Sequence, residues 1–310
     1  MDGCVIFTHE DCLLHDTGEG HPEQIARLDV ILRALRKPQF QDLNWQPAPK
    51  AEITHLSYAH TPEYIKAVLQ SAPEAGFRTL DADTVISPQS IEAALRSTGA
   101  VVTAVDSVLT GKATTAFCAV RPPGHHARKN SAMGFCIFGN VAIGGWHAIK
   151  AHDLKRVAIV DFDVHHGNGT AEMVDGHTEF LFASTHQHPF YPHTGDTSKT
   201  DKAGNIINVP LQAGDGSLAF RDSFENKILP ALDAFEPELI MISAGFDAHK
   251  DDPLANINLA EEDYFWVTRE LKKLAEKHCQ GRIVSSLEGG YNLRALAASA
   301  AAHVNALKDA

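Results

Sequence analysis

The chain has 310 residues, of which 44% are hydrophobic and 21% are charged. These proportions are ordinary for a globular protein and exclude a disordered chain, a collagen-like fibre and a small disulfide-bonded scaffold. The 39 acidic residues outnumber the 27 basic ones, and the formal net charge is −12. Because the chain also has no run rich in Lys and Arg, we expect no nucleic-acid partner.

Five cysteines are scattered along the chain, and no two of them form a C-x-x-C motif. This pattern predicts reduced thiols rather than a disulfide framework or a cysteine-based zinc site. The segment 1–16 carries acids where a signal peptide has its basic region, and no apolar stretch reaches the roughly 18 residues of a membrane span. We therefore expect a cytoplasmic protein without a membrane partner.

Short β-branched or aromatic segments alternate with longer helical patterns along the chain. We predict strands over residues 5–8, 115–120, 157–161, 180–184, 206–209, 239–243 and 282–287. We predict helices over residues 61–69, 90–109, 140–151, 218–235, 260–278 and 293–307. No repeat or linker interrupts this alternation. It predicts one domain, residues 1–310, with an open, mostly parallel β-sheet flanked by helices.

Polar, glycine-rich segments directly follow four of the predicted strands. These segments are residues 121–126, 161–169, 244–247 and 288–292. In an open α/β sheet, ligands bind beyond the carboxyl ends of the strands. We therefore expect the His, Asp and Tyr side chains of these segments to form one site at that edge of the sheet.

Two aspartates and a histidine in the second segment suit a metal ion. Asp161, Asp163 and His165 alternate along an extended stretch, so their side chains would lie on one side. Asp247, at another strand end, could supply a further ligand. Three protein ligands leave a position open for water, as in catalytic zinc sites, and two carboxylates with one imidazole also suit Fe²⁺. The alternative is a solvated acidic turn at a strand end.

The adjacent histidines His125 and His126 follow Pro-Pro-Gly at a strand end. Beside a metal-activated water they could act as a base and an electrostatic helper, and each would need an acceptor that fixes its tautomer. Asp161 and Asn168 are candidate acceptors. Tyr291, next to Gly290, could polarise a carbonyl. The alternatives are surface or packed histidines and a tyrosine packed at a turn.

Four motifs of the chain resemble those of the histone deacetylase superfamily: R-P-P-G-H-H-A, D-F-D-V-H-H-G-N-G-T, S-A-G-F-D-A-H and E-G-G-Y-N. Relatives of this superfamily include acetylpolyamine amidohydrolases and, sharing the fold, arginases. The resemblance runs from the segment 15–23 to about Tyr291. Asn168 stands where other branches of the superfamily have Asp, and in this the chain resembles the class II members. In its small size the chain resembles bacterial members. The resemblance implies the arginase/deacetylase fold.

The resemblance also implies roles for the residues that match the motifs. Asp163, His165 and Asp247 would bind Zn²⁺. His126 would be the general base and then the general acid, and His125 would be its electrostatic partner.

Other matching residues would orient this machinery or bind a second cation. Asp161 would orient His125, Asn168 would orient His126, and Tyr291 would hydrogen-bond the substrate carbonyl. The family's structural site for K⁺ or Na⁺ would use oxygens of Asp161, Asp163, His165 and Ser184.

The resemblance further implies an acyl-lysine channel walled by Gly134, Phe135 and Tyr191. Leu254 at its rim is informative, because a site selective for polyamines benefits from an acid that holds a second ammonium group. A leucine offers none. This favours acyl-lysine in a peptide or protein over a small acylated amine as the substrate.

We therefore expect a zinc-dependent amidohydrolase that removes an acyl group, most simply acetyl, from a lysine-like amine. An acetylpolyamine amidohydrolase is the first alternative. An arginase-type ureohydrolase would need a second metal with more carboxylate ligands and leaves His125 and His126 unexplained. A non-catalytic binding module would lack the tyrosine or the base, and both are present. The oligomeric state stays open.

Overall fold

The computed structural model of the chain describes residues 3–197 and 202–308. The predicted domain limits, 1 and 310, lie outside these ranges. The strands are β1 (Cys4–Thr8), β2 (Asn44–Pro47), β3 (Arg78–Thr79), β4 (Val85–Ile86), β5 (Thr115–Cys118), β6 (Val157–Asp161), β7 (Phe180–Gln187), β8 (Ile206–Leu211), β9 (Leu239–Ala244) and β10 (Ile283–Leu287).

Helices connect these strands. They are α1 (Ala26–Leu35), α2 (Ile53–Leu56), α3 (Pro62–Leu69), α4 (Ser90–Leu109), α5 (Asn140–His152), α6 (Asn168–Val174), α7 (Ser217–Ser223), α8 (Leu229–Phe235), α9 (Glu261–Cys279) and α10 (Leu293–Lys308). The helices α4, α5 and α6 pack in one group, and α1, α8, α9 and α10 pack in another. The predicted architecture, a sheet flanked by helices, is confirmed.

Eight strands form one sheet in the order β2-β1-β5-β10-β9-β6-β7-β8. Every pairing in this sheet is parallel. The only antiparallel pair among the described strands, β3 with β4, lies outside it. The strands β6, β9 and β10 are buried along their whole length. This burial explains their nearly continuous apolar sequences, which is typical of parallel strands that are covered on both faces.

The sheet order brings the four polar segments together. They follow β5, β6, β9 and β10, which are the consecutive neighbours β5-β10-β9-β6 in the sheet. Because these strands are parallel, their carboxyl ends meet at one edge. The expected common site is therefore placed by the topology itself.

The structure corrects some predicted elements and adds others. The edge strand β2 has mostly exposed residues and no alternating apolar pattern, so sequence periodicity did not detect it. The helices α1 and α6 were also not predicted. The predicted helix 218–235 is interrupted by a π-helical turn over Phe224–Ile228. Pro230 lies just after this turn and cannot donate a backbone hydrogen bond, which favours such local widening of a helix.

All five cysteines lie in the described ranges, and each is buried and free of disulfide bonds. This confirms the expectation that no disulfide framework exists. Among the helices of residues 3–197 and 202–308, none combines the length and the apolar character that crossing a bilayer needs.

Candidate active site

Asp163, His165 and Asp247 converge at the carboxyl ends of β6 and β9. The Nδ1 atom of His165 lies 3.1 Å from Asp163 Oδ1 and 3.1 Å from Asp247 Oδ2. One potential ligand atom from each residue lies within 4.8 Å of the other two, and all three residues are buried. The structure thus brings together the three residues that the sequence predicts as metal ligands.

Glycines make this convergence sterically feasible. A Cβ atom on Gly245 would lie 2.0 Å from Asp163 Oδ2, and one on Gly289 would lie 2.1 Å from Asp247 Oδ2. The backbone also orients the two carboxylates, because Gly289 N donates to Asp163 Oδ2 at 2.8 Å and Val164 N donates to Asp247 Oδ1 at 2.8 Å. Any larger residue at either glycine would displace a carboxylate.

The electrostatics of the three residues favour a bound cation. Burial and the charge of Asp163 raise the pKa of Asp247. Burial alone would lower the pKa of His165, but its hydrogen bonds to both carboxylates raise it to about 10. Two buried carboxylates at one point therefore demand positive charge nearby. Two carboxylate donors and one imidazole, with an open side facing a cavity, fit a divalent metal ion.

The two adjacent histidines hydrogen-bond to chemically different partners. His125 Nδ1 lies 3.0 Å from Asp161 Oδ2, whereas His126 Nδ1 lies 2.7 Å from Asn168 Oδ1. The amide nitrogen of Asn168 faces the Met133 sulfur at 3.4 Å, which leaves Oδ1 for the histidine. His126 must therefore donate from Nδ1, so its Nε2 atom keeps a free lone pair.

The pKa values of the two histidines are shifted in opposite directions. Burial disfavours the charge on His125, but Asp163 and Asp161 raise its pKa well above the usual value. Burial and the charges of His125 and His165 lower the pKa of His126 far below that value. A neutral imidazole thus lies beside a charged one, with ring centroids 4.0 Å apart.

A cavity of about 230 Å³ leads to these groups. The four channel residues named from the sequence, Gly134, Phe135, Tyr191 and Leu254, all line it. It is also lined by His126, His165 and Tyr291, and by two residues that the sequence analysis did not name, Asp83 and Phe190. The cavity therefore connects His126 and Tyr291 with His165, one member of the candidate metal cluster.

Gly134 can only be glycine at this position. Its φ angle is +57°, and a Cβ atom there would lie 2.3 Å from Cδ2 of His126. Its amide nitrogen donates to Asp83 Oδ1 at 3.0 Å, and Tyr191 Oη donates to Asp83 Oδ2 at 3.3 Å. Asp83 thus holds two walls of the cavity together. Burial and the neighbouring Asp81 raise the pKa of Asp83.

Ser184 lies away from the cavity lining. It is on β7, directly opposite Asp161 of β6, and its Oγ atom lies 3.0 Å from His186 Nδ1. His249, two residues after Asp247, has Nε2 3.5 Å from Glu261 Oε2 and does not join the ligand cluster.

A buried ionic network behind Tyr291 was not predicted. Arg27 donates to the backbone oxygens of Gly290, at 2.6 Å, and Glu288, at 2.5 Å, and its guanidinium lies 5.0 Å from the centroid of the Tyr291 ring. Glu23 accepts from Arg27 Nη1 at 2.8 Å. Except for the pair Glu23 and Arg27, the residues of this network are far apart in sequence. The spacing of residues along the chain therefore could not predict the network.

Two further acids support the loops that carry the site. Glu288 Oε2 accepts from the backbone nitrogens of Gly124, at 2.7 Å, and His125, at 3.1 Å. Burial raises the pKa of Glu288 to about 7. Asp252 Oδ2 accepts from Tyr291 N at 2.7 Å, and its Oδ1 accepts from Leu254 N at 3.0 Å. Glu288 belongs to the E-G-G-Y-N motif, but its role is visible only from these contacts.

Comparison with known proteins agrees with this geometry. The family model "Histone deacetylase domain" matches residues 21–307. A "Histone deacetylase-like amidohydrolase" of Pseudomonas aeruginosa is 38% identical over 254 residues, which cover 81% of this chain and 67% of that protein. A "Type-2 histone deacetylase 2" of Dictyostelium discoideum is 38% identical over 93% of this chain, which spans only 20% of that longer protein.

A solved structure extends the likeness to the fold. The crystal structure of the HDA15 HD domain superposes with a TM-score of 0.94 at 34% identity, covering 100% of this chain and 89% of that one. Together these matches define a hydrolase that acts on amide bonds. The chain belongs to the histone deacetylase family, whose members are generally metal-dependent.

The glycine contacts lead to a test of the ligand cluster. In the variant Gly245→Ala, the new Cβ would push the Asp163 carboxylate from its position. We expect the affinity for one equivalent of Zn²⁺ to fall by about 10–100-fold, measured by competition with a chromophoric chelator. Gly3→Ala, where no atom lies within 4 Å of the new Cβ, is the matched control. Unchanged affinity in folded Gly245→Ala would contradict the assignment of this cluster.

Proposed function

We propose that this chain is a zinc-dependent deacetylase that hydrolyses the acyl amide of acetyl-lysine-type substrates. The proposal rests most directly on the position of His126, whose Nδ1 contacts Asn168 Oδ1 at 2.7 Å and which lines the same cavity as Tyr291 and as His165 of the cluster. A base, a metal site and a hydroxyl donor on one cavity are the groups that amide hydrolysis requires.

Asp163, His165 and Asp247 would hold the metal. When bound, it supplies Lewis acidity that activates water and polarises the acyl carbonyl. Zn²⁺ is our proposed ion, and Fe²⁺ is the alternative that the same ligand set accepts. The carboxylate of Asp161, two residues before Asp163, is hydrogen-bonded to His125, which disfavours the second metal of a ureohydrolase.

His126 would transfer the proton. Its free Nε2 takes a proton from the attacking water as the new C–O bond forms. The same nitrogen then gives this proton to the amine nitrogen as the amide C–N bond breaks. Asn168 fixes the ring by accepting from Nδ1, and the positive charge of His125 keeps His126 neutral in its resting state.

Tyr291 would donate a hydrogen bond to the acyl oxygen as negative charge develops there. The neighbouring backbone is fixed from two sides, because Asp252 accepts from Tyr291 N and Arg27 donates to the oxygen of Gly290. Burial raises the pKa of the Tyr291 phenol, so the hydroxyl stays protonated at neutral pH. A preorganised donor of this kind stabilises the transition state more than the bound substrate.

The cavity walls suit a narrow acylated chain. Phe135, Phe190 and Leu254 contribute apolar surface, which favours the methylene chain of an acyl-lysine in a peptide or protein. Asp83 favours a second candidate, because a carboxylate on the cavity wall could hold the distal ammonium of a small acylated polyamine. Asp83 therefore offers the acid that Leu254 lacks.

Two accompanying assignments belong to the same proposal. We assign a structural K⁺ or Na⁺ to oxygens of Asp161, Asp163, His165 and Ser184, and the register of β6 with β7, which sets Asp161 against Ser184, supports it. We also propose that the enzyme acts in the cytoplasm, and the five unpaired, buried cysteines are compatible with a reducing compartment.

Removing the proposed base gives the first functional test. His126→Ala should lower kcat by about 10²–10⁴-fold, because it removes the imidazole nitrogen that we propose as the proton acceptor. Its bound metal should be unchanged. Asn168→Ala should lose less activity, since the imidazole remains but is no longer held in one tautomer. Steady-state kinetics with measured metal content decides, and full activity of His126→Ala rejects the base assignment.

Removing the proposed hydroxyl donor gives an independent test. Tyr291→Phe should lower kcat by about 10²–10³-fold and change KM little, because the hydrogen bond strengthens only as the oxyanion develops. Tyr58→Phe, outside the cavity, is the matched control and should retain wild-type kinetics. A raised KM with unchanged kcat would instead assign Tyr291 to binding of the ground state.

Substrate choice can be tested with Asp83. We expect the wild-type enzyme to have a higher kcat/KM on acetyl-lysine peptides than on acetylspermidine. Asp83→Asn should lower kcat/KM for acetylspermidine by about tenfold more than for the peptide, because it removes a charge partner worth about 1.4 kcal/mol. A hundredfold preference of the wild type for acetylspermidine would replace our first candidate by the second.

A further inference from the structure

We propose that Asp106, His147 and His152 form a second site for a divalent metal ion such as Zn²⁺. The function of this site would differ from that of the catalytic cluster. His147 Nε2 lies 2.7 Å and His152 Nε2 lies 2.8 Å from the same atom, Asp106 Oδ1. Their potential ligand atoms all lie within 4.8 Å of one another. Two imidazoles and one carboxylate are a complete protein ligand set for zinc, with a fourth position for water.

Helix geometry creates this convergence. Asp106 lies in the last turn of α4, and His147 and His152 lie towards the end of α5. Near the beginning of α5, Asn140 contacts Ser97 and Thr98 of α4, so the two helices run side by side in the same direction. Both carboxyl ends therefore meet near the cluster. Their partial negative charges add to the Asp106 charge and favour a cation.

The ring protons of the two histidines must be rearranged when a metal binds. In the structure both rings donate from Nε2 to one carboxylate oxygen, Asp106 Oδ1. Burial raises the pKa of Asp106, but these hydrogen bonds lower it below the usual value. A metal ion binds to the lone pair of each Nε2, so the proton on each ring must move from Nε2 to Nδ1. His147 Nδ1 is buried and has no hydrogen-bond partner within the described ranges, so the N–H formed there lacks an acceptor, a cost that the new metal–nitrogen bond must outweigh.

Distances and exposure are compatible with binding. Tetrahedral zinc with Zn–N bonds of about 2.0–2.1 Å separates its ligand atoms by roughly 3.3 Å. The observed 2.7 and 2.8 Å contacts need only a small opening, which the exposed side chain of Asp106 permits. The ion can reach the site from solvent past Asp106 and His152. The amine of Lys150 lies over the rings of Tyr58 and Trp146.

A second histidine–aspartate contact in the chain serves as a comparison. His278 Nε2 lies 2.7 Å from Asp233 Oδ1, but the third group on this carboxylate oxygen is the ammonium of Lys277, at 2.5 Å. An ammonium group cannot ligate a cation and occupies the position that a metal would take. Asp233 and His278 thus reproduce one half of the proposed site without its second imidazole.

A metal at this cluster would clamp α4 to α5. At the other end of the same helix pair, Asn140 Nδ2 donates to Pro122 O at 3.2 Å, in the loop that leads to His125. The clamp would therefore stiffen the support of the catalytic loop without touching the substrate. Its expected effect is on metal content and thermal stability, not on the chemical step.

The test is zinc stoichiometry. Metal-free protein is equilibrated with buffered excess Zn²⁺, freed of unbound ion, and analysed by plasma mass spectrometry. We expect two zinc ions per chain in the wild type and in the control His278→Ala. His152→Ala and Asp106→Asn should hold one. Asp247→Asn, altered at the catalytic cluster, should retain the second ion whether or not the protein is a deacetylase, so the two proposals fail separately.

Thermal unfolding provides a second readout. With one equivalent of Zn²⁺ already bound, further zinc should raise the Tm of the wild type by a few degrees and leave that of His152→Ala unchanged. An ion content in His152→Ala and Asp106→Asn equal to that of the wild type, or a wild-type Tm that does not respond to further zinc, would each overturn the proposed site.

Discussion

The site depends on one constraint, which is the burial of several carboxylates at the ends of three adjacent strands, β6, β9 and β10. Asp163 and Asp247 meet at His165, while Asp161 and Glu288 lie behind the histidine pair. Buried negative charge of this density is unstable without positive partners. The fold supplies some of them as imidazoles, and the cation that we propose at the cluster would supply the rest. Gly245 and Gly289 leave the space into which the carboxylates of Asp163 and Asp247 fit.

The same charge distribution favours different protonation states in two neighbouring imidazoles, His125 and His126. His125 contacts a carboxylate and is held charged, whereas His126 contacts an amide oxygen and is held neutral. The pKa values of the two side chains shift in opposite directions, because Asp163 and Asp161 favour the charge on His125, whereas burial and the charges of His125 and His165 disfavour it on His126. In the mechanism that we propose, a neutral imidazole next to a positively charged one would accept a proton and still release it readily, as a group that acts first as base and then as acid requires.

The sequence predicted the sheet and the convergence of the polar segments at its edge because both follow local rules. Buried parallel strands such as β6 and β9 have apolar sequences, and polar residues directly follow them, so the positions of Asp163 and Asp247 could be inferred. Long-range contacts gave no such signal. Arg27 reaches Gly290 across 263 positions, and Asp83 reaches the cavity from a loop without a motif. The edge strand β2 was missed because its exposed residues show no apolar alternation.

The most direct test of the account is the dependence of amide hydrolysis on the metal. The enzyme is dialysed against a strong chelator, its metal content is measured, and Zn²⁺ is added back stepwise while the deacetylation rate is followed. The account predicts that activity disappears with the metal and returns in proportion to the ion that occupies the cluster of Asp163, His165 and Asp247. Full activity of the metal-free protein would contradict it.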